Sequence, residues 1–201
     1  MARPREFNEE QVLEAAGDAF WARGYEGTTT RDLVRVTGLT QPSLYNAFGD
    51  KRGLFLRAFK HYVDHNLWQR IERLESTLTP AAAITAFFGD IIERSLSDPL
   101  RRGCMLVNSA LEATSDDEEL RKAVASELTQ LREFFLRCMK AGCESGEIPV
   151  TVSAEDAATQ LLAILLGMRV LARVNPKRPL LKGSVAPALA LLGLPSLRGR
   201  T

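Results

Sequence analysis

Between Thr28 and Lys51 the sequence TTTRDLVRVTGLTQPSLYNAFGDK gathers side chains able to meet a nucleic acid. Gln41 and Asn46 carry amides that can pair bidentately with adenine, Thr40 and Ser43 carry hydroxyls, and Lys51 offers a point charge to a phosphate. Thr28, Thr29 and Thr30 are suited to cap a helix, whose first backbone amides then face outward toward an anion. At about 100° per residue, Pro42 and Asn46 fall opposite Leu44 and Phe48, with Ser43 and Tyr45 beside them and Thr40 and Gln41 at the amino-terminal end. A helix patterned in this way fits the major groove, with its first residues at the base edges.

Three short helices must hold that face in place. Asn8, with Gln11 three residues on, starts the first, whose buried stripe is Val12, Leu13, Ala16, Ala19 and Phe20 and which Gly24-Tyr25 closes. The threonines then cap a helix with Arg31 and Asp32 in its first turn and Leu33, Val34 and Val36 as apolar positions. Gly38 ends it, free to take the positive φ that a Cβ resists, and Gly38-Leu39 has the length of the turn in a helix-turn-helix. Leu44 and Phe48, four residues apart on the next helix, pack inward with Leu39.

Taken together, Thr30, Gly38, Leu39, Thr40, the run Gln41 to Ser43, Leu44, Tyr45, Asn46, Phe48 and Lys51 resemble the DNA-binding domain of TetR-type transcriptional regulators. The resemblance is specific over residues 8 to 60 and architectural beyond. It implies phosphate contacts from Tyr45, Lys51 and the Thr28 to Thr30 cluster, and base contacts from Thr40, Gln41, Ser43 and Asn46. Gln41 stands where many such proteins have a basic residue and Pro42 where a small one is usual, so this base-reading surface is the chain's own. Pro42 is tolerated in a first helical turn.

After Asp50, a capping residue, a long helix carries Leu54, Phe55, Phe59, Tyr62, Val63, Leu67, Ile71 and Leu74. Resemblance makes it the connection from the reader to a larger carboxy-terminal domain. The expected division is 1–50 for the reader and 51–201 for ligand binding and dimerisation, softened by this helix toward residue 60. Downstream every pattern is helical. Thr79-Pro80 opens a helix with Ile84, Phe87, Phe88, Ile91 and Ile92 on one face. Asp98-Pro99 is expected to open another, almost wholly apolar and deeply buried, through Cys104, Met105, Leu106, Val107, Ala110 and Leu111. Ser115 and Asp116 start a long helix ending near Gly146, and Ser153 with Asp156 starts a Leu-rich one. Asn175 to Pro179 reads as a loop before a last helix around Val185 to Leu192. With no alternation of period two, the fold class is all-α: a three-helix reader followed by a helical regulatory domain, about nine helices in all.

The resemblance further implies a homodimer whose last two helices pack as a four-helix bundle, each copy reading one half of a palindromic double-stranded operator. It also implies a small-molecule effector in the carboxy-terminal domain. The expected lining is Phe87, Phe88, Ile91, Cys104, Met105, Asn108, Phe134, Phe135 and Met139, since aromatic and Met walls with one amide suit a mostly apolar molecule. The stretch Arg102 to Asn108 is similar to a recurring segment in one branch of that family.

A net charge of +1 is modest for a nucleic-acid partner, although Arg3 and Arg5 ahead of the first helix can serve as an arm. The longest apolar run, Leu161 to Met168, is far short of the roughly 20 residues of a membrane span, and MARPREF lacks a secretory core. A cytoplasmic protein is therefore expected. Cys104, Cys138 and Cys143 form no even disulfide framework. Cys104, just after Arg101-Arg102, gives an alternative reading as a thiol- or electrophile-sensing regulator. His61 and His65, four apart, do not by themselves close a metal site, so neither a metal nor a cofactor is expected. No nucleophile motif or phosphate loop suggests an enzyme. The more remote alternative is a helical ligand-binding protein without DNA affinity.

Overall fold

The computed structural model describes residues 7–150 and 152–197, so the expected Arg3–Arg5 arm lies outside the described residues. These fold into α1 (Glu9–Gly27), α2 (Thr30–Thr37), α3 (Gln41–Phe48), α4 (Lys51–Val63), a π-helical segment (Asp64–Trp68), α5 (Gln69–Thr77), α6 (Pro80–Ser97), α7 (Met105–Glu112), α8 (Glu118–Glu144), α9 (Ala154–Val174) and α10 (Arg178–Leu191). Counting the uninterrupted run 51–77 once gives nine helices and no strand among the described residues.

The chain forms two compact units. The first comprises residues up to Trp68 together with Cys104–Arg121. Its centre is the packing of α1 on α4 and α2, with α3 on α4. Phe20 and Phe55 meet edge to face at 5.0 Å, Tyr25 joins Phe55 at 5.1 Å, and Phe59 stacks beyond. Fully burying each phenyl ring contributes about 2–3 kcal/mol. The apolar stripe of α1 is as expected at Val12, Leu13, Ala16 and Phe20, with Ala19 at its margin. Val36, expected to be apolar packing, is exposed, because α2 is short enough that Leu33 alone reaches the core.

The second unit, Gln69–Gly103 and Lys122–Thr201, packs α6 against α5, α9 and α10. Its heart is a cluster of four phenylalanines, Phe87, Phe88, Phe134 and Phe135, all buried, with ring centroids 5.1 to 5.9 Å apart. Thr79 does not cap α6 by its own side chain; Glu147 accepts from the amide of Ala81 at 3.2 Å and from the Thr79 hydroxyl instead.

Three expectations are corrected. Asp98-Pro99 does not open a helix. The Asp98 carboxylate accepts from the amides of Leu100 and Arg102 at 3.2 and 2.7 Å, and this closes a loop in which Arg101 and Gly103 both have positive φ, so helix begins only at Met105. Nor is α7 buried all round: its second turn leaves Ala110 exposed and Leu111 75% exposed. The last helix starts at Arg178 rather than near Val185, since Pro179 falls in its first turn, where a missing amide costs nothing. In addition, α9 is by length and composition apolar enough to cross a membrane, and only 33% of its most apolar stretch is buried within the chain.

Candidate nucleic-acid interface

The turn between α2 and α3 takes the form that the sequence requires. Gly38 is left-handed at φ 70° and its amide reaches Val34 O at 3.1 Å. Upstream, Thr29 caps α2 in a reciprocal box: its hydroxyl accepts from the Asp32 amide at 3.1 Å, and Asp32 accepts from the Thr29 amide at 3.2 Å and from its hydroxyl at 2.7 Å. Those hydrogen bonds from Thr29, then the Arg23 guanidinium 2.9 Å away, bring the Asp32 carboxyl down to about 2, so the cap remains charged into strong acid.

Thr40 caps α3, accepting from the Ser43 amide at 3.4 Å and sharing a 2.9 Å hydrogen bond with the Ser43 hydroxyl. Leu44 and Phe48 are buried beneath, which leaves Thr40, Gln41, Pro42, Ser43 and Asn46 exposed as one polar surface at the amino-terminal end of the helix. Tyr45, half-buried, shares a 2.7 Å hydrogen bond with the Thr30 hydroxyl, which ties the flank of α3 to the start of α2. Phe48 is covered by the Arg57 guanidinium, 4.8 Å above its ring.

At the start of α4 Asp50 accepts from the Gly53 amide at 2.7 Å, and Lys51 lies with Nζ 4.3 Å over the Tyr25 ring. Tyr25 thus steers the cation, a role the sequence reading gave no residue. The Tyr25 hydroxyl is raised in pKa, chiefly by burial and against the pull of Arg52. Lys51, the Tyr45–Thr30 hydroxyl pair and the first amides of α2 and α4 are each of a kind that suits an anion.

Of the three threonines, Thr28 departs from expectation. It is fully buried and its hydroxyl donates to Gly24 O at 2.7 Å, so it holds the end of α1 rather than offering itself to a phosphate. Thr29 remains exposed and Thr30 half-buried.

The residues expected to line an effector cavity fall into two groups. Phe87, Phe88, Ile91, Phe134, Phe135 and Met139 are all buried in the second unit, whereas Cys104, Met105 and Asn108 belong to the first. Cys104 is the half-exposed residue preceding α7, and Cys138 is buried, its thiol pushed up to about 12 mainly by desolvation. The His61 and His65 rings lie tilted to one another with centroids 4.0 Å apart, His65 within the π-helical segment, and the pKa of His61 is lowered by burial and then by its neighbour.

Known proteins similar to this chain are helix-turn-helix regulators. The model of the bacterial regulatory proteins of the tetR family matches residues 12–58, and that of the tetracyclin repressor-like C-terminal domain matches residues 80–182. The uncharacterized HTH-type transcriptional regulator YezE of Bacillus subtilis (strain 168) is 32% identical over 198 residues, covering 96% of this chain and all of that protein. The HTH-type transcriptional repressor ComR of Escherichia coli (strain K12) is 27% identical, covering 85% of this chain and 82% of that one. Among solved structures, a cysteine mutant of the TetR family regulator CifR complexed with 26-bp double-strand operator DNA superposes with a TM-score of 0.83. It is 32% identical, over 94% of this chain and 98% of that one. With matching family models over both halves and a full-length relative at 32% identity, the chain belongs to the TetR family of helix-turn-helix transcriptional regulators.

Proposed function

We propose that this regulator is a homodimeric repressor that holds a palindromic operator and leaves it when a small molecule occupies its carboxy-terminal domain. The observation that carries this is the surface of α3. Five adjoining exposed positions, Thr40, Gln41, Pro42, Ser43 and Asn46, stand on a capped helix whose other side is locked by Leu44 and Phe48. The amides of Gln41 and Asn46 and the hydroxyls of Thr40 and Ser43 read bases. Lys51, Tyr45, Thr29 and Thr30 anchor phosphates. The reader spans residues 1–50, and the remainder, 51–201, which begins with the connecting helix α4, receives the effector and the second copy. CifR bound to operator DNA and ComR named a repressor support that direction of control.

Dimerisation is supported by the outer face of α9. Ala163, Gly167, Val170 and Val174 recur at helical spacing and are exposed, as are Gly183, Pro187 and Leu191 on α10. An apolar face of this kind requires cover, and a symmetric mate supplies it while presenting a second reader. The apolarity of α9 is accounted for by that mate, and the protein acts in the cytoplasm, where its DNA lies. The effector is a mostly apolar molecule received beside Phe88, Ile91, Phe135 and Met139. No catalytic step is assigned.

Substitution at the surface tests the reading. Asn46→Ala is expected to cost about 1–3 kcal/mol of operator affinity and to relax selectivity at one base position. Lys51→Ala is expected to weaken every duplex alike and to lower the salt slope by about 1. Mobility-shift titrations of both variants across salt check this. Equal losses on operator and on unrelated duplex for Asn46→Ala would remove base reading from α3.

A further inference from the structure

Helix α1 is not continuous to its end. At Gly24 the backbone turns to φ 76°, ψ 172°, a conformation essentially confined to glycine, and Tyr25 to Gly27 resume helix beyond it. What meets this break comes from far along the chain. Glu112, the last residue of α7, accepts from the Tyr25 amide through Oε2 at 2.9 Å across 87 residues of sequence. The fit is close: a Cβ on Gly24 would lie 2.6 Å from Glu112 Oε1. Five residues after Glu112, Asp117 pairs with Arg52, whose guanidinium lies over both Tyr25 and Phe55, and also accepts from the Leu120 amide at the start of α8.

We propose that Glu112 is a positioning residue of the DNA reader: its carboxylate fixes the Gly24–Tyr25 break and thereby the seat of Lys51 and the start of α2. The path is short. Tyr25 carries Lys51 at 4.3 Å on its ring, and Thr28, three residues on, donates to Gly24 O at 2.7 Å and to Ala19 O at 3.3 Å. Thr29 and Thr30 follow at once, the second bonded to Tyr45 of α3. A freed Tyr25 amide leaves the break without its distant acceptor, and Lys51, Thr30 and Tyr45, three of the four proposed phosphate anchors, lose their common reference. The segment Cys104–Arg121 lies by sequence within the carboxy-terminal family match, 80–182, yet its contacts belong to the reader's unit, so a carboxylate of the regulatory half sets the geometry of DNA binding.

The inference rests on the DNA-binding reading, and the experiment separates the two. Full-length wild type, Glu112→Ala and Glu112→Gln are titrated with a duplex selected by the wild type from random sequence, and amide hydrogen exchange is followed at Tyr25. Glu112 is exposed, so all three are expected to fold, with melting temperatures within about 6 °C of one another. Glu112→Ala is expected to release the Tyr25 amide to exchange and to weaken specific binding about tenfold, the size of one hydrogen bond to a charged group. Glu112→Gln, which keeps an acceptor oxygen, is expected to restore most of both, a rescue that a general loss of stability would not give. Wild-type affinity in Glu112→Ala, with specific binding by the wild type intact, overturns the positioning role and leaves the reader standing. Absence of specific binding by the wild type overturns both.

Discussion

Gly53→Ala is expected to open the junction between α3 and α4 and to destabilise the protein by about 3 kcal/mol, lowering its melting temperature by roughly 6–12 °C. The added Cβ would sit 2.2 Å from the carbonyl oxygen of Phe48, an atom of the backbone that no rotamer change can move. Phe48 ends α3, and Gly53 lies in the first turn of α4, its amide already held by Asp50. The clash is relieved only by swinging one helix from the other, which loosens Phe48 and Leu44 beneath the proposed base-reading surface and carries Lys51 away from Tyr25. Operator affinity falls with stability. Gly89→Ala provides the contrast. That glycine is inside α6 with nothing within 4 Å of a new Cβ, so alanine there is expected to be neutral or to stabilise by up to about 1 kcal/mol. Thermal unfolding of the two variants side by side checks the geometry; equal melting points would contradict it.

A larger functional effect is expected from Gly167→Arg. Gly167 is exposed at the centre of the apolar stripe on α9, and its missing side chain faces open space within the chain, so an arginine there leaves the single copy intact. Across a two-fold interface on this face the same side chain is buried against the mate once in each copy. Two guanidinium groups would then be desolvated against apolar helix with no carboxylate to pair them, a cost of several kcal/mol at each end. The variant is expected to sediment as a monomer with unchanged helicity. Because a dimer gains its second half-site at high effective concentration, operator affinity is expected to drop by about 10² to 10⁴. A dimer of unaltered affinity would place the interface elsewhere.

How far these features could be read from residues alone depended on their range. The helix-turn-helix was legible because each of its determinants is local: Thr29 caps its own helix, Gly38 takes its own positive φ, and Leu44 and Phe48 are one turn apart. The exposed face of α3 follows from that spacing. The loop 98–103 was misread because Asp-Pro is also a helix opener, and only the two amides gathered by the Asp98 carboxylate decide against it. Thr28 was misread for a related reason: three successive threonines look alike, and tertiary packing decides that one faces inward. Glu112 and Tyr25 were illegible as partners, since nothing in an exposed glutamate at a helix end points to an amide 87 residues away. The phenylalanines of the second unit announced themselves as apolar, yet apolar spacing does not distinguish a packed cluster from the wall of a cavity.

The central claim, a two-fold reader of base sequence, is tested most directly by offering the full-length protein a pool of random duplex DNA and sequencing what it retains after competition at physiological salt. The account predicts enrichment of a palindrome whose half-sites are separated by about one helical turn, with A·T pairs preferred where Gln41 and Asn46 reach the groove. Retention of no sequence above the starting pool, by protein that is folded and dimeric, would contradict it.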